Sequence, residues 1–231
     1  MDSDFFNWVV KAKNRPKVIY FSSSAVYPTE LQERKSHAKL AEHLVTFRHF
    51  RVGIPDMTYG WAKLTGELLA KHAVEKYDAD VVIYRPFSGY GEDQSFDYPF
   101  PSLIRRVLNK EAPITIWGSG DQCRDFIHID DIVDAVLETK DVLKPGEVLN
   151  LGSSVPMNFY SLVRLAEEVL YPGDPVAAIV SDTTKPEGVF YRVADTYKLS
   201  QFYKPKVSLE EGIRRVAKHL SASVDLTRGK A

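Results

Sequence analysis

The sequence predicts an α/β protein built on a parallel sheet, and three observations predict it. Three short runs, "KVIYFSS", "ADVVIYRP" and "EVLNLGSS", are apolar along their length rather than alternating, as strands buried on both faces are. Segments of helical periodicity separate the runs, which is the pattern of strand–helix–strand crossovers. The runs end in serines or in a proline-aromatic turn, and open α/β sheets present their chemistry beyond the carboxyl ends of their strands.

The elements follow in order. "SDFFNWVVKAK", Ser3 to Lys13, is expected to form an amphipathic helix. Ser3 or Asp4 can cap it, Phe5, Trp8, Val9 and Ala12 share a face, and Pro16 follows its end. "KVIYFSS" is the first strand. Residues 28–57 are polar and irregular; His37, His43 and His49 lack metal-ligand spacing and read as solvated surface. "TYGWAKLTGELLAKHAVEKYD" is a long helix whose apolar side is read as Ala62, Leu64, Leu68, Leu69 and Ala73. "ADVVIYRP" is the second strand, stopped by Pro86, and "SLIRRVLNKE" is a helix. "ITIWGSGDQCRDFIHI" reads as strand, glycine turn and short strand, with Phe126 to Ile129 leading into the helix "IDDIVDAVLETKD". Asp130 or Asp131 near that start suits the helix dipole. "EVLNLGSS" is the third apolar strand. "NFYSLVRLAEEVL" and "SLEEGIRRVAKHL" are helices, the second capped by Ser208 with Glu211 completing a capping box. The expected sheet order is the serine strand, then "DVVIYRP", then "VLNLG", all parallel.

Composition narrows the function classes. The chain has 231 residues, 44% of them hydrophobic and 26% charged, enough for one domain and a lobe with a full core. A net charge of −1 with no basic stripe points away from nucleic acid. Cys123 is the single cysteine, so no internal disulfide forms, and a reducing, cytoplasmic setting is expected. No apolar run reaches transmembrane length, so no membrane partner is expected.

Tyr59 and Lys63 are four residues apart on a helix and therefore share a face. A Tyr-x-x-x-Lys pair alone is weak. Here a strand-end serine cluster precedes it, and "YRPFSGYG" follows at the end of the next strand. A free phenol titrates near pH 10, and an adjacent ammonium lowers that value by stabilising the phenolate. A serine hydroxyl alongside can bind the substrate oxygen that gains or loses the proton. These are the parts needed to oxidise an alcohol to a ketone with a nicotinamide as hydride acceptor.

"FSSSAVYP", "YGWAK", "RPFSGYG", "GSGDQCRDFIHIDDIVDAV", "VLNLGSS" and "YRVADTYKL…YKPKVSLEEGIRR" occur in one order along the chain. In that order they resemble the extended short-chain dehydrogenases/reductases and, more narrowly, the NAD-dependent sugar-nucleotide epimerase/dehydratase family. The resemblance implies Ser23 as the active-site hydroxyl, Ser24 as its substrate-facing neighbour, Tyr59 as base and Lys63 as its partner on the nicotinamide ribose. It places Phe87 where the backbone meets the nicotinamide, and Ser88 beside the substrate. Arg124 and Arg192 match arginines that grip the nucleotide diphosphate, a role suited to guanidinium forks. Arg124 pairing with Asp121 or Asp125, and Arg192 with Asp195, are the structural alternatives.

Two departures matter. Ser88 stands where the family usually has Asn, and Ser24-Ala25 stands where its 4,6-dehydratases carry an acidic pair. The second departure argues against dehydration and leaves epimerisation or simple redox. The resemblance also implies a Rossmann-like domain over residues 1–91 and 125–152, and a substrate lobe over 92–124 and 153–231. No G-x-x-G-x-x-G fingerprint occurs. The "GSGDQC" turn leads into a strand rather than a helix. Because the serine strand normally follows roughly 100 residues of βαβαβ half, the sequence reads as lacking that N-terminal half. NAD, or NADP, is then expected to bind weakly, and "VIYFSS" is expected to form an apolar sheet edge. The implied partners are a nucleotide-diphosphate sugar and a second copy docked through helices 3–13 and 59–77. The alternative to an epimerase-type enzyme is a non-catalytic remnant that binds nucleotide sugar or a partner chain.

Overall fold

The computed structural model describes residues 1–47 and 52–228; His49 lies outside the described residues. Strands β1 (Val18–Phe21), β2 (Val81–Pro86) and β6 (Val148–Leu151) form one sheet in the order β1-β2-β6. Both pairings are parallel, with Tyr20 opposite Ile83 and Ile83 opposite Val148. The expected order and direction are therefore those found.

The burial of β2 shows why its run is continuously apolar. Val81 and Ile83 face helices α1 (Asp2–Lys11) and α2 (Met57–Tyr77), in a cluster with Phe6, Val9, Ala70 and Ala73. Val82 and Tyr84 point the other way, packing with Ile132 and Val136 of α4 (Ile129–Thr139) and with Leu149, Leu151 and Tyr203. Alternate side chains enter opposite cores, so no polar face exists. Burying each Val, Ile or Phe contributes about 1.5–3 kcal/mol relative to exposure.

The helices depart from the sequence reading in detail. α1 has Met1 at its N-cap position with no side-chain cap, so neither Ser3 nor Asp4 caps it. It buries Phe6 and Val9, while Phe5 and Trp8 are exposed. α2 buries Gly60, Leu64, Gly66, Glu67, Ala70 and Ala73, whereas Ala62 and Leu68 face outward. Its inner face is made of small residues because the helix lies close to the sheet: a Cβ on Gly66 would sit 1.8 Å from the Tyr20 hydroxyl. That hydroxyl donates to Asp2 at 2.7 Å and so ties α1 to β1.

A second sheet is built on β3 (Ser88–Tyr90), β5 (Cys123–His128), β7 (Pro156–Asn158) and β9 (Tyr191–Arg192). β5 pairs parallel with β3 and β9 and antiparallel with β7. β4 (Ile114–Trp117) pairs parallel with β8 (Ile179–Asp182). Helices α3 (Pro99–Leu108), α5 (Phe159–Leu170) and α6 (Leu209–Arg228) enclose a core with Phe100, Ile104, Leu162, Val163, Ile213 and Val216. β5 runs directly into α4, as expected, and the His128 ring accepts from Asp130 N–H at 3.1 Å to cap it. Ser208 Oγ accepts from Glu211 N–H at 3.2 Å as the sequence implied, but the Glu211 carboxylate lies 3.9 Å from Arg214 and does not complete a capping box. Among the described residues no helix is long and apolar enough to cross a membrane, and no cluster of metal-ligating side chains occurs.

Candidate active site

β1 ends at Phe21, and the chain turns immediately into a short 3₁₀ turn, Ser24–Val26. Ser23 caps that turn, its Oγ accepting from Ala25 N–H at 3.1 Å. The turn is held against the start of α2. Asp56 N–H donates to the Ala25 carbonyl at 2.9 Å, and a Cβ on Gly60 would approach that same oxygen to 2.4 Å. Gly60 is thus the residue that lets the Tyr59 helix reach the serine turn.

Tyr59 lies on the first turn of α2 and is 55% exposed. Lys63 Nζ sits one turn on, 5.9 Å from the Tyr59 ring centroid and 5.5 Å from that of Tyr20. It donates to the Phe21 carbonyl at 2.8 Å. In β1 the Ser22 N–H points to β2, donating to Tyr84 O, so Phe21 is turned toward the other edge of the strand. Ser23, Tyr59 and Lys63 therefore gather at the carboxyl end of β1. No hydrogen bond joins Ser23 to Tyr59 among the described residues.

The other five predicted residues meet in an adjoining cleft. Ser24, Phe87, Ser88, Arg124 and Arg192 line a cavity of about 260 Å³ together with Gln94, Tyr98 and Phe126. Phe87 is buried against Tyr27, with ring centroids 5.9 Å apart, and its N–H donates to Leu151 O. Arg124 belongs also to a second cavity of about 160 Å³, lined by Leu103, Trp117, Gln122, Phe159 and Glu187. The two cavities share Tyr98, Pro99 and Arg124.

The arginines do not pair as the structural alternatives had it. Arg124 Nη1 donates to the carbonyls of Cys123 and Val189, at 2.8 and 2.9 Å, and not to Asp121 or Asp125. Asp125 is instead taken up by Ser153, Ser154 and Ala194. Arg192 donates from Nε to Gln32 Oε1 and from Nη2 to Asp56 Oδ2, both at 2.6 Å, and not to Asp195. Burial, and then the neighbouring charge of Arg192, lower the Arg124 pKa to about 10. Burial lowers that of Arg192 too, against the opposing pull of Asp56. Two guanidinium groups thus line one cleft, and Asp56 is the carboxylate paired with Arg192.

Behind the site runs a polar network that the sequence reading missed. Glu67 and Arg85 are both fully buried and form a bidentate pair at 2.8 and 2.7 Å. Ser22 Oγ donates to Glu67 at 2.6 Å. Arg85 Nη1 donates to the Tyr27 hydroxyl, which donates in turn to Asn150 Oδ1 at 2.6 Å. Burial pushes the Tyr27 phenol up to about 12 despite Arg85. A signal existed: Arg85 is a charge inside an otherwise apolar strand, and Glu67 is one helical turn beyond Lys63. Gln32 and Asp56 gave no comparable signal.

The nicotinamide end of a dinucleotide fits what is present, since Tyr59, Lys63 and the Ser23 turn converge at a strand end beside the Phe87 turn. The model of the NAD dependent epimerase/dehydratase family matches residues 5–152. The chain belongs to this family. A putative GDP-L-fucose synthase 2 of Arabidopsis thaliana is 29% identical over 210 residues, covering 85% of this chain and 60% of that protein. An uncharacterized UDP-glucose epimerase of Bacillus subtilis is 33% identical over 179 residues, covering 73% and 53%. UDP-glucuronic acid 4-epimerase from Bacillus cereus, solved with UDP-glucuronic acid and NAD, superposes with a TM-score of 0.77 at 27% identity, over 96% of this chain and 68% of that one. The chain thus spans about 60% of the length of the first curated relatives it matches.

Proposed function

We propose that this epimerase/dehydratase family chain carries the catalytic and nucleotide-sugar-binding groups of an epimerase-type oxidoreductase. The observation that supports this best is the placement of Lys63 Nζ beside the Tyr59 ring, at the end of the serine strand and next to a cleft holding Arg124 and Arg192. Tyr59 takes the proton of a sugar hydroxyl as the carbinol becomes a ketone. Ser23 Oγ hydrogen-bonds the same oxygen, and Lys63 holds the phenolate by its charge. NAD, held at its nicotinamide end by Tyr59, Lys63 and the Phe87 turn, would supply a hydride acceptor and donor for the carbinol carbon. Tyr59 gives its proton back to the same oxygen as the ketone is reduced, and reduction from the opposite face would invert the centre without net oxidation. Arg124 and Arg192 hold the diphosphate, and Ser24 and Ser88 face the sugar. With Ser88 in place of an amide, a hydroxyl orients the substrate.

A second reading keeps the cleft and drops the turnover, making the chain a nucleotide-sugar-binding subunit; the lack of a G-x-x-G-x-x-G turn in the sequence favours it. Incubation with UDP- and GDP-sugars at millimolar NAD⁺, read by NMR of the sugar protons, separates the two. Interconversion that Tyr59→Phe abolishes, with the fold intact, supports the enzyme. Binding without interconversion supports the second reading, and failure of every nucleotide sugar to bind sinks both.

The same reading extends to assembly. Phe5 and Trp8 of α1, and Trp61 and Leu68 of α2, are exposed apolar side chains on the two helices expected to meet a second copy. A homodimer through α1 and α2 buries them.

A further inference from the structure

Asp56 immediately precedes α2 and touches three parts of the molecule at once. Its N–H donates to the Ala25 carbonyl of the serine turn at 2.9 Å, and its carbonyl accepts from Gly60 N–H at 2.8 Å. Its carboxylate receives Arg192 Nη2 at 2.6 Å, across from β9. The next residue, Met57, has φ of 55°, a left-handed conformation sparsely populated by residues with a side chain. Such a conformation persists where its surroundings over-determine it, and here the anchors lie on Asp56 itself. Two residues further on is Tyr59.

We propose that Asp56 is a positioning residue that transmits occupancy of the Arg192 cleft to the helix carrying Tyr59. The proposal rests on the reading of Arg124 and Arg192 as a diphosphate grip. The Arg192 guanidinium has committed Nε to Gln32 and Nη2 to Asp56, while Nη1 makes no hydrogen bond among the described residues. An incoming diphosphate meets a cation already half neutralised by Asp56. Taking Nη1, it competes with that carboxylate for the same charge and weakens the Asp56–Arg192 pair, and the change is felt at the Met57 turn. Linkage makes the effect reciprocal: if a diphosphate weakens the Asp56–Arg192 pair, removing the Asp56 charge strengthens diphosphate binding. A residue with a merely structural role would do the opposite, because loosening a binding site lowers affinity.

The test uses the full 231-residue chain, with UDP and GDP as probes in calorimetry. Asp56→Asn is expected to bind the better probe about tenfold tighter, equivalent to about 1.4 kcal/mol. Asp56→Glu, which keeps the charge, is expected to stay within about twofold of wild type. Equal or weaker binding by folded Asp56→Asn would overturn the proposal, as would an equal gain in Asp56→Glu. A measurement on the wild-type chain guards against misfolding of the variants. On addition of UDP or GDP, the Met57 and Tyr59 amide resonances are expected to shift, and their constancy at saturation refutes the coupling. If neither probe binds the wild-type chain, the diphosphate grip itself fails, which is a different result from a grip that binds and is indifferent to Asp56.

Discussion

Breaking the Glu67–Arg85 pair is the perturbation whose size the structure lets one work out. Both side chains are 0% exposed, and two short hydrogen bonds join them. In Glu67→Leu, Arg85 keeps the Tyr27 hydroxyl and the Glu42 carbonyl but has no counter-charge, and Ser22 Oγ loses its acceptor. An uncompensated buried charge of this kind costs about 3–5 kcal/mol. For a chain of this length each kcal/mol lowers Tm by about 2–4 °C, so a fall of roughly 6–20 °C is expected. Arg85→Met strands the carboxylate and is expected to cost a similar amount. The double variant removes both charges and keeps the volume, since Leu and Met fill what the pair filled. It is expected within about 1–2 kcal/mol of wild type, the residue being the orphaned Ser22 hydroxyl and lost bonds to Tyr27. Equilibrium urea unfolding followed by far-UV dichroism measures all four proteins. A loss below about 1 kcal/mol in either single variant, or additive losses in the double, would refute the account of the pair as a mutually neutralising unit.

Three further outcomes follow from the same geometry. Gly60→Ala places a Cβ 2.4 Å from a backbone oxygen, so the serine turn or α2 must shift; a loss of about 1–3 kcal/mol in urea unfolding is expected, and an unchanged midpoint would mean the contact gives way freely. Multi-angle light scattering is expected to find a dimer, with Trp8→Ser and Leu68→Ser shifting it to monomer; a clean monomer at high concentration refutes the α1–α2 interface. Calorimetry with NAD⁺ alone is expected to give a Kd on the order of millimolar or weaker, because backbone and dipole contacts to the pyrophosphate contribute roughly 1.5–3 kcal/mol per charge-assisted bond. Tight stoichiometric binding would show that another segment of the chain, or a partner subunit, supplies those contacts.

What was legible in the sequence was local or periodic. The three strands could be read because burial on both faces removes alternation, and Tyr59 with Lys63 because four residues make one helical turn. The face of α2 was misread for a physical reason. Apolar periodicity marks Leu68 as inner, yet close approach to the serine turn at Gly60 and to β1 at Gly66 puts those glycines inside and turns Leu68 outward. The small strands β7 and β9 have three and two residues, too short for any period to register, and each depends on a distant partner. The partners of Arg192 lie 160 and 136 residues away in sequence, at Gln32 and Asp56, so spacing carried no trace of them; the nearer Asp195 was the natural guess.

The way α2 is attached follows from that inner face. Glycine and alanine allow a helix to lie close to a sheet but bury little apolar area, and apolar contact has no preferred direction. A helix held only so could rotate or slide by part of a turn at small cost. Two ion pairs prevent it here. Glu67, in the middle of α2, is fixed to Arg85 of β2, and Asp56, just before its start, is fixed to Arg192 of β9. Bidentate and short charge-assisted hydrogen bonds are directional, so they set rotation and register where packing does not. Lys63 lies between these two anchors, four residues from Glu67 and seven from Asp56, with Tyr59 three from Asp56. Together with the Lys63 bond to the Phe21 carbonyl and the Asp56 N–H bond to the Ala25 carbonyl, these charges hold the phenol and the ammonium at the end of β1.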